Sequence, residues 1–205
     1  MRSSNRKIYY KSCIKSLNIK NMKLKVLLFF VSAIALASCV DIPDFSDTPR
    51  IFYNGIDQER IEDPTGDIER VTITIDFEDG DGDIGVSDDE RNDTNFTGKY
   101  GSWGDCELVT MQRLTNGTWT ESILSVDKYK WMPLLKKDGK PGPLKGKIDI
   151  NTKFYWGSSV VPVTVKFKVR IRDRALRISN QIMTDSIIVP GYNLYLDLQS
   201  PLPEA

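Results

Sequence analysis

Apolar and polar residues alternate with a period of two along Val71-Thr72-Ile73-Thr74-Ile75-Asp76-Phe77. That is the pattern of a strand with one face in a core and one in water. A second alternating run places Val163, Val165, Phe167, Val169 and Ile171 against Thr164, Lys166, Lys168, Arg170 and Arg172. Between them, residues 106–114 and 119–126 flank Thr115-Asn116-Gly117-Thr118, and Asn-Gly is the strongest short hairpin signal. Residues 147–150 read as a short strand, and Pro162 delays entry into the run that follows. After a turn at Asp173-Arg174-Ala175-Leu176, residues 178–189 return as the partner strand and Pro190-Gly191 ends it. No segment carries a sustained helical stripe. Short strands punctuated by turn residues predict an all-β, antiparallel β-sandwich.

The N-terminal 38 residues follow different rules. Lys23 and Lys25 precede the apolar run 26–31, and small residues lead to Leu36-Ala37-Ser38-Cys39. Charge, apolar run and small-residue site in that order predict a cleaved export signal, and the run is too short to span a membrane. Leu-Ala-Ser-Cys resembles the bacterial lipoprotein lipobox. The resemblance implies cleavage before Cys39 and acylation of its thiol, so that lipid on Cys39 anchors the chain to a membrane. Met22 offers a second start, with residues 1–21 as surplus. Val40, rather than aspartate, follows the cysteine, which in enteric lipoproteins implies the outer membrane, on its periplasmic face or at the cell surface. Asp41 and Asp44 resemble the surface-export signals of Bacteroidota lipoproteins. The expected organisation is therefore signal peptide 1–38, lipidated Cys39 with an acidic, Pro-punctuated tether to residue 68, β-sandwich 69–190 and tail 191–205.

The strand-turn-strand segment at residues 169–180 resembles the closing hairpin of immunoglobulin-like or fibronectin-type-III-like extracellular modules, which implies an immunoglobulin-like sandwich. Asp79-Gly80-Asp81-Gly82-Asp83-Ile84-Gly85 after an alternating strand resembles a feature of small outer-membrane lipoproteins of Bacteroidota type. That family implies an address and a fold, not an activity.

Composition narrows the chemistry. The chain has 28 basic and 28 acidic side chains and no histidine. The absence of histidine excludes Ser-His-Asp and Cys-His catalysis and His-ligated zinc. Eight basic and no acidic residues precede Cys39, which leaves 20 against 28, a net charge of −8. Residues 39–107 carry 20 acidic and 5 basic side chains, whereas residues 108–205 carry 8 and 15. Such polarity favours internal complementarity or a cation site over nucleic acid. With Cys39 lipidated and Cys13 removed, Cys106 has no disulfide partner, and it reads as a small buried hydrophobe.

The candidate chemistry lies in residues 76–90. Alternating aspartates separated by glycine suit a hard cation, because Ca²⁺ takes roughly six to eight oxygens and glycine lets short carboxylates converge. Counted from Asp79 as an EF-hand loop, the ligands are Asp79, Asp81, Asp83, the Gly85 carbonyl, Ser87 and Glu90, with Ile84 where glycine belongs. Counted from Phe77, Gly82 takes the turn but Phe77 replaces the first ligand and Asp88 ends the loop. Neither frame is intact and no flanking helices are expected, so a true EF-hand is excluded. A Ca²⁺-binding Asp-x-Asp-x-Asp loop between strands remains, beside a solvated acidic turn and a catalytic role. Asn92, Asp93 and Asp173 are further ligand candidates, the last only if the fold brings its turn alongside.

Lys166, Lys168, Arg170 and Arg172 form a basic row, either a patch for an anionic partner or a solvated sheet face. Tyr100, Trp103, Trp119, Trp131, Tyr155 and Trp156 could stack on sugars or fill a core. These readings converge on a lipid-anchored, exported, non-catalytic binding, adhesion or assembly module, stabilised by Ca²⁺, with a protein or glycan partner. The rivals are a carboxylate-dependent glycan hydrolase and an aromatic glycan-binding module.

Overall fold

The computed structural model describes residues 44–192, apart from 65, 137–138 and 158–159. The segment expected to be an export signal, Cys39 and the residues beyond 192 lie outside the described residues.

Strand β1 spans Arg50–Ile61 and pairs antiparallel with β2, Ile68–Asp79. On its other side β2 pairs with β5, Leu144–Tyr155, over its whole length. This gives a three-stranded sheet in the order β1-β2-β5. The second sheet centres on β6, Val163–Ile171, which pairs with β3, Cys106–Arg113, on one side. Strand β4, Trp119–Ser122, extends it beyond β3. On the far side of β6 lie β7, Ile182–Met183, and β8, Ile187–Val189. The first, second and fifth strands thus face the third, the sixth and the last. The two antiparallel sheets make an all-β sandwich, with β4 as the edge beside β3.

The alternation in the sequence builds this core. Val71, Ile73, Ile75 and Phe77 of β2 and Ile148, Ile150 and Phe154 of β5 point inward. They meet Leu108 of β3 and Val165, Phe167, Val169 and Ile171 of β6. Phe154 and Phe167 touch across the sheets, with ring centroids 6.4 Å apart. Burial of side chains of this size stabilises by about 2 kcal/mol each before conformational entropy is subtracted. Cys106 is fully buried at the start of β3, as its apolar reading predicts.

Residues 50–61, read from the sequence as part of an irregular tether, form a twelve-residue strand. Only Ile51 of β1 is buried, and a bulge between Tyr53 and Gly55 breaks the register, so no alternation marks it. Asn180 holds this strand to the other sheet. Its side chain accepts from the Ile51 amide at 2.9 Å and donates to the Ile51 carbonyl at 2.8 Å. The expected strand over 119–126 stops at Ser122, and residues 125–127 form a 3₁₀ turn. The expected partner strand over 178–189 is two short pieces, offset by one extra residue where Thr184 bonds both the amide and the carbonyl of Phe167. The Asn116-Gly117 turn forms as predicted, with Gly117 at φ +84°.

Among the described residues no helix is long and apolar enough to cross a membrane. Two single-turn helices, α1 (Asp88–Asn92) and α2 (Thr94–Gly98), lie between β2 and β3.

Candidate cation site

The acidic loop leaves β2 at Asp79, and the 173–176 turn leaves β6 just after Ile171. Loops after the second and sixth strands of such a sandwich gather at one end. The fold therefore brings carboxylates together that are about ninety positions apart. Asp79, Asp81, Asp83 and Asp173 each offer an oxygen, all within 4.8 Å of one another.

Glycine spacing explains how the loop reaches this shape. The Gly80 amide donates to the Ser46 carbonyl at 2.9 Å, and a Cβ at Gly80 would lie 2.9 Å from the Asp47 amide nitrogen. Gly82 sits at φ +71°, under the Gly142 carbonyl. Gly85 sits at φ +89°, pressed against the Pro133 carbonyl. The loop is also stitched to the 132–135 segment by Val86 N–H to Met132 O at 3.0 Å and Leu135 N–H to Ile84 O at 3.3 Å. Ile84 and Val86 are buried in consequence. The loop is a packed element rather than a solvated turn.

Within it, Asp79 is 0 % exposed. Its Oδ2 accepts from the Asp83 amide at 3.0 Å, while its Oδ1 has no partner. Oδ1 of Asp81 and Oδ1 of Asp83 are buried and partnerless as well. Arg177 supplies the positive charge at this end. Its Nε donates to Asp173 Oδ2 at 2.6 Å and its Nη2 to Asp81 Oδ2, with Asp83 Oδ2 at 3.8 Å and Asp47 Oδ2 at 3.6 Å. The guanidinium thus engages second oxygens and leaves three first oxygens unmatched. Burial, reinforced by Asp81 and Asp83, pushes Asp79 up to about 7. Burial together with Asp173 and Asp81 pushes Asp83 up to about 6, and burial raises Asp173.

Asp79, Asp81 and Asp83, expected as ligands, do converge. Asp173, conditional in the sequence, joins them. Ser87 and Glu90 have other partners. Ser87 caps α1 and Glu90 reaches back to it, with its Oε2 accepting from the Ser87 amide and hydroxyl at 3.0 Å each. Arg174 grips Glu90 with both Nη atoms and lowers it to about 2. The Gly85 carbonyl accepts from Arg174 Nη1 at 3.4 Å. Asp93 caps α2, accepting from the Asn95 amide. Ser87-Asp88-Asp89-Glu90 is a capping box legible in the sequence, and it accounts for the position the EF-hand frame gave to Glu90. Arg177 and Asp47 carry no local motif that marks them.

The basic row is largely engaged. Lys168 pairs with Glu121 at 2.6 Å, Arg170 with Glu107, and Lys166 lies 4.4 Å from the Trp119 ring centroid. Arg172 is buried, donating to the carbonyls of Tyr100, Trp103 and Gly104 with its guanidinium over the Trp103 ring. Of the aromatics, Tyr100 and Trp103 are buried. Trp131 packs edge-on to Tyr100, and Trp156 donates to Glu69 at 3.0 Å. Tyr155 is exposed.

Compared with known proteins, the chain matches no family model, no curated protein and no solved structure.

A pH dependence follows in metal-free solution. A carboxyl whose folded pKa is raised holds its proton after the unfolded chain has lost it, so stability falls as pH rises between the two values. In EDTA, the melting midpoint should therefore fall from about pH 4 to pH 7 through Asp79 and Asp83. Asp105, buried and pushed up to about 7, adds to the same fall. Glu90, lowered by Arg174, acts in the opposite sense near pH 4, where the unfolded chain still holds the proton that the folded carboxylate has lost, so the fall is cleanest above about pH 5. Melts across this range test the sign, and Asp79→Asn should flatten the curve.

Proposed function

We propose that the chain is a lipid-anchored, exported, non-catalytic module whose β-sandwich is tied at one end by a bound Ca²⁺. The observation that carries the reading is Asp79, a wholly buried carboxylate whose Oδ1 has no partner and which offers an oxygen within 4.8 Å of oxygens of three other aspartates. Such a group costs several kcal/mol unless a counter-charge meets it. When ionised, the four carboxylates together with Arg177 carry a net of −3, and a divalent ion brings that group to −1. All-oxygen, carboxylate-rich donors suit a hard cation, and the large, flexible shell of Ca²⁺ suits an irregular loop better than the strict octahedron of Mg²⁺. The ion would order the loop and stabilise the fold by mass action.

Asp79→Asn separates this reading from its rivals. In EDTA the variant should melt at or above the wild-type temperature, because a repelling charge is gone. In millimolar CaCl₂ it should lose most of the calcium-induced rise. Equal responses of the two proteins to calcium would refute the assignment.

A non-catalytic role is favoured over glycan hydrolysis by the same geometry. A glycosidase sets two carboxyl groups across a gap of roughly 5–9.5 Å with substrate between them, whereas here four converge and Asp79 and Asp173 are wholly buried. The anchoring part of the proposal rests on the lipobox. Cys39→Ser should abolish acyl labelling and release the protein from the membrane fraction; persistent labelling would refute it.

A further inference from the structure

Beside the four aspartates lies a cleft of about 490 Å³. Asp81 and Asp83 line it, while Asp79 and Asp173 stand behind them, fully buried. An ion held by all four would border the cleft through Asp81 and Asp83, which belong both to the cluster and to the cleft wall. One oxygen from each of four carboxylates is fewer than the roughly six to eight that Ca²⁺ takes. The same cleft is lined by Lys136, Lys140 and Arg174. Lys136 uses one of the three donors of its ammonium on the Gly142 carbonyl, at 3.2 Å. Arg174 is held in place by Glu90 and the Gly85 carbonyl. Leu134 and Pro141 complete a partly apolar wall.

Charge makes occupancy of the two halves conditional. Asp47, Asp79, Asp81, Asp83, Asp173 and Glu90 oppose Lys136, Lys140, Arg174 and Arg177, six against four. With every carboxyl ionised the empty region is net −2 and repels an anion; a divalent ion cancels that charge and leaves the ion itself and Lys136 to attract one. Resting on the calcium reading above, we propose that the metal is one half of a composite site for a small oxyanion, a carboxylate or phosphate on a body of monosaccharide size. One anion oxygen completes the calcium shell and another accepts from Lys136. The cleft volume falls in the range of small-molecule sites.

The test is titration calorimetry on the full chain in mild detergent, with glucuronate, glucose 6-phosphate and neutral glucose as probes, each in CaCl₂ and in EDTA. The expected result is saturable binding of at least one anion in calcium, none in EDTA and none of glucose. Lys136→Met, which keeps the aliphatic stem that packs beside Gly82, should weaken that binding at least about tenfold, and Lys136→Arg should restore it. Binding of glucuronate alone identifies a carboxylate, and of glucose 6-phosphate alone a phosphate. A thermal shift with calcium but no binding of either anion would overturn this inference and leave the cation site standing. Binding that persists in EDTA or ignores Lys136→Met would also overturn it. No calcium response at all would remove both readings together.

Discussion

Gly85→Ala should lower the melting midpoint by about 10 °C, the largest loss expected from a single methyl group among the described residues. Two costs add. Gly85 lies at φ +89°, where an L side chain is strained. Its new Cβ would also collide with the Pro133 carbonyl and approach Leu134 Cα at 3.0 Å, both backbone atoms that cannot swing aside. Together they amount to roughly 3 kcal/mol or more. The damage should spread, because Gly85 sits between Ile84 and Val86, the two buried residues that pin the acidic loop to the 132–135 segment. Gly101→Ala is the control. Its φ is +68°, yet nothing lies within 4 Å of its added Cβ, so it carries the backbone strain alone. Equal losses from the two variants would show that the close approach to Pro133 contributes nothing.

Arg177→Met should cost about 3 kcal/mol in EDTA near pH 8 and much less in calcium. The guanidinium bonds Asp173 and Asp81 and lies near Asp83 and Asp47. Its removal leaves the buried Asp173 and the half-buried Asp81 and Asp83 without a counter-charge, a loss at the lower end of that seen when one partner of a buried pair is deleted. With Arg177 gone, the −3 of the four ionised aspartates and Arg177 becomes −4 in the absence of metal. A cation takes over the missing charge, so the calcium-induced stabilisation should be larger in the variant than in the wild type. Chemical denaturation in EDTA and in CaCl₂ measures both numbers. A loss that is the same in both media would mean that Arg177 alone neutralises the cluster and that no ion joins it.

The sandwich was legible where burial follows polarity. In β2 and β6 every inward position of the alternating run is apolar, and both strands form as read. β5 was recognised only at residues 147–150, because two of its inward positions hide the pattern. Gly146 lies under the Phe77 ring, and Thr152 is buried with its hydroxyl donated to Asp127 at 2.7 Å. β1 was missed because most of it buries neither face. The aspartates of the loop were readable as a cluster from their spacing, but their partners were not. Asp173, Arg177 and Asp47 arrive from turns remote in sequence, and only the sandwich topology brings them to one end. The capping box at Ser87 and Glu90 carries the opposite lesson, since a local motif there competes with the longer-range ligand pattern for the same residues.

The account turns on whether an ion fills the space between Asp79, Asp81, Asp83 and Asp173. Calcium titration by calorimetry at pH 7.5, with magnesium as the comparison ion, addresses this directly. The account predicts one calcium per chain, weaker or no binding of magnesium, and proton release on binding, because Asp79, held partly protonated by its burial and its acidic neighbours, must ionise to ligate. The absence of saturable calcium binding would contradict it and would leave the four aspartates to Arg177.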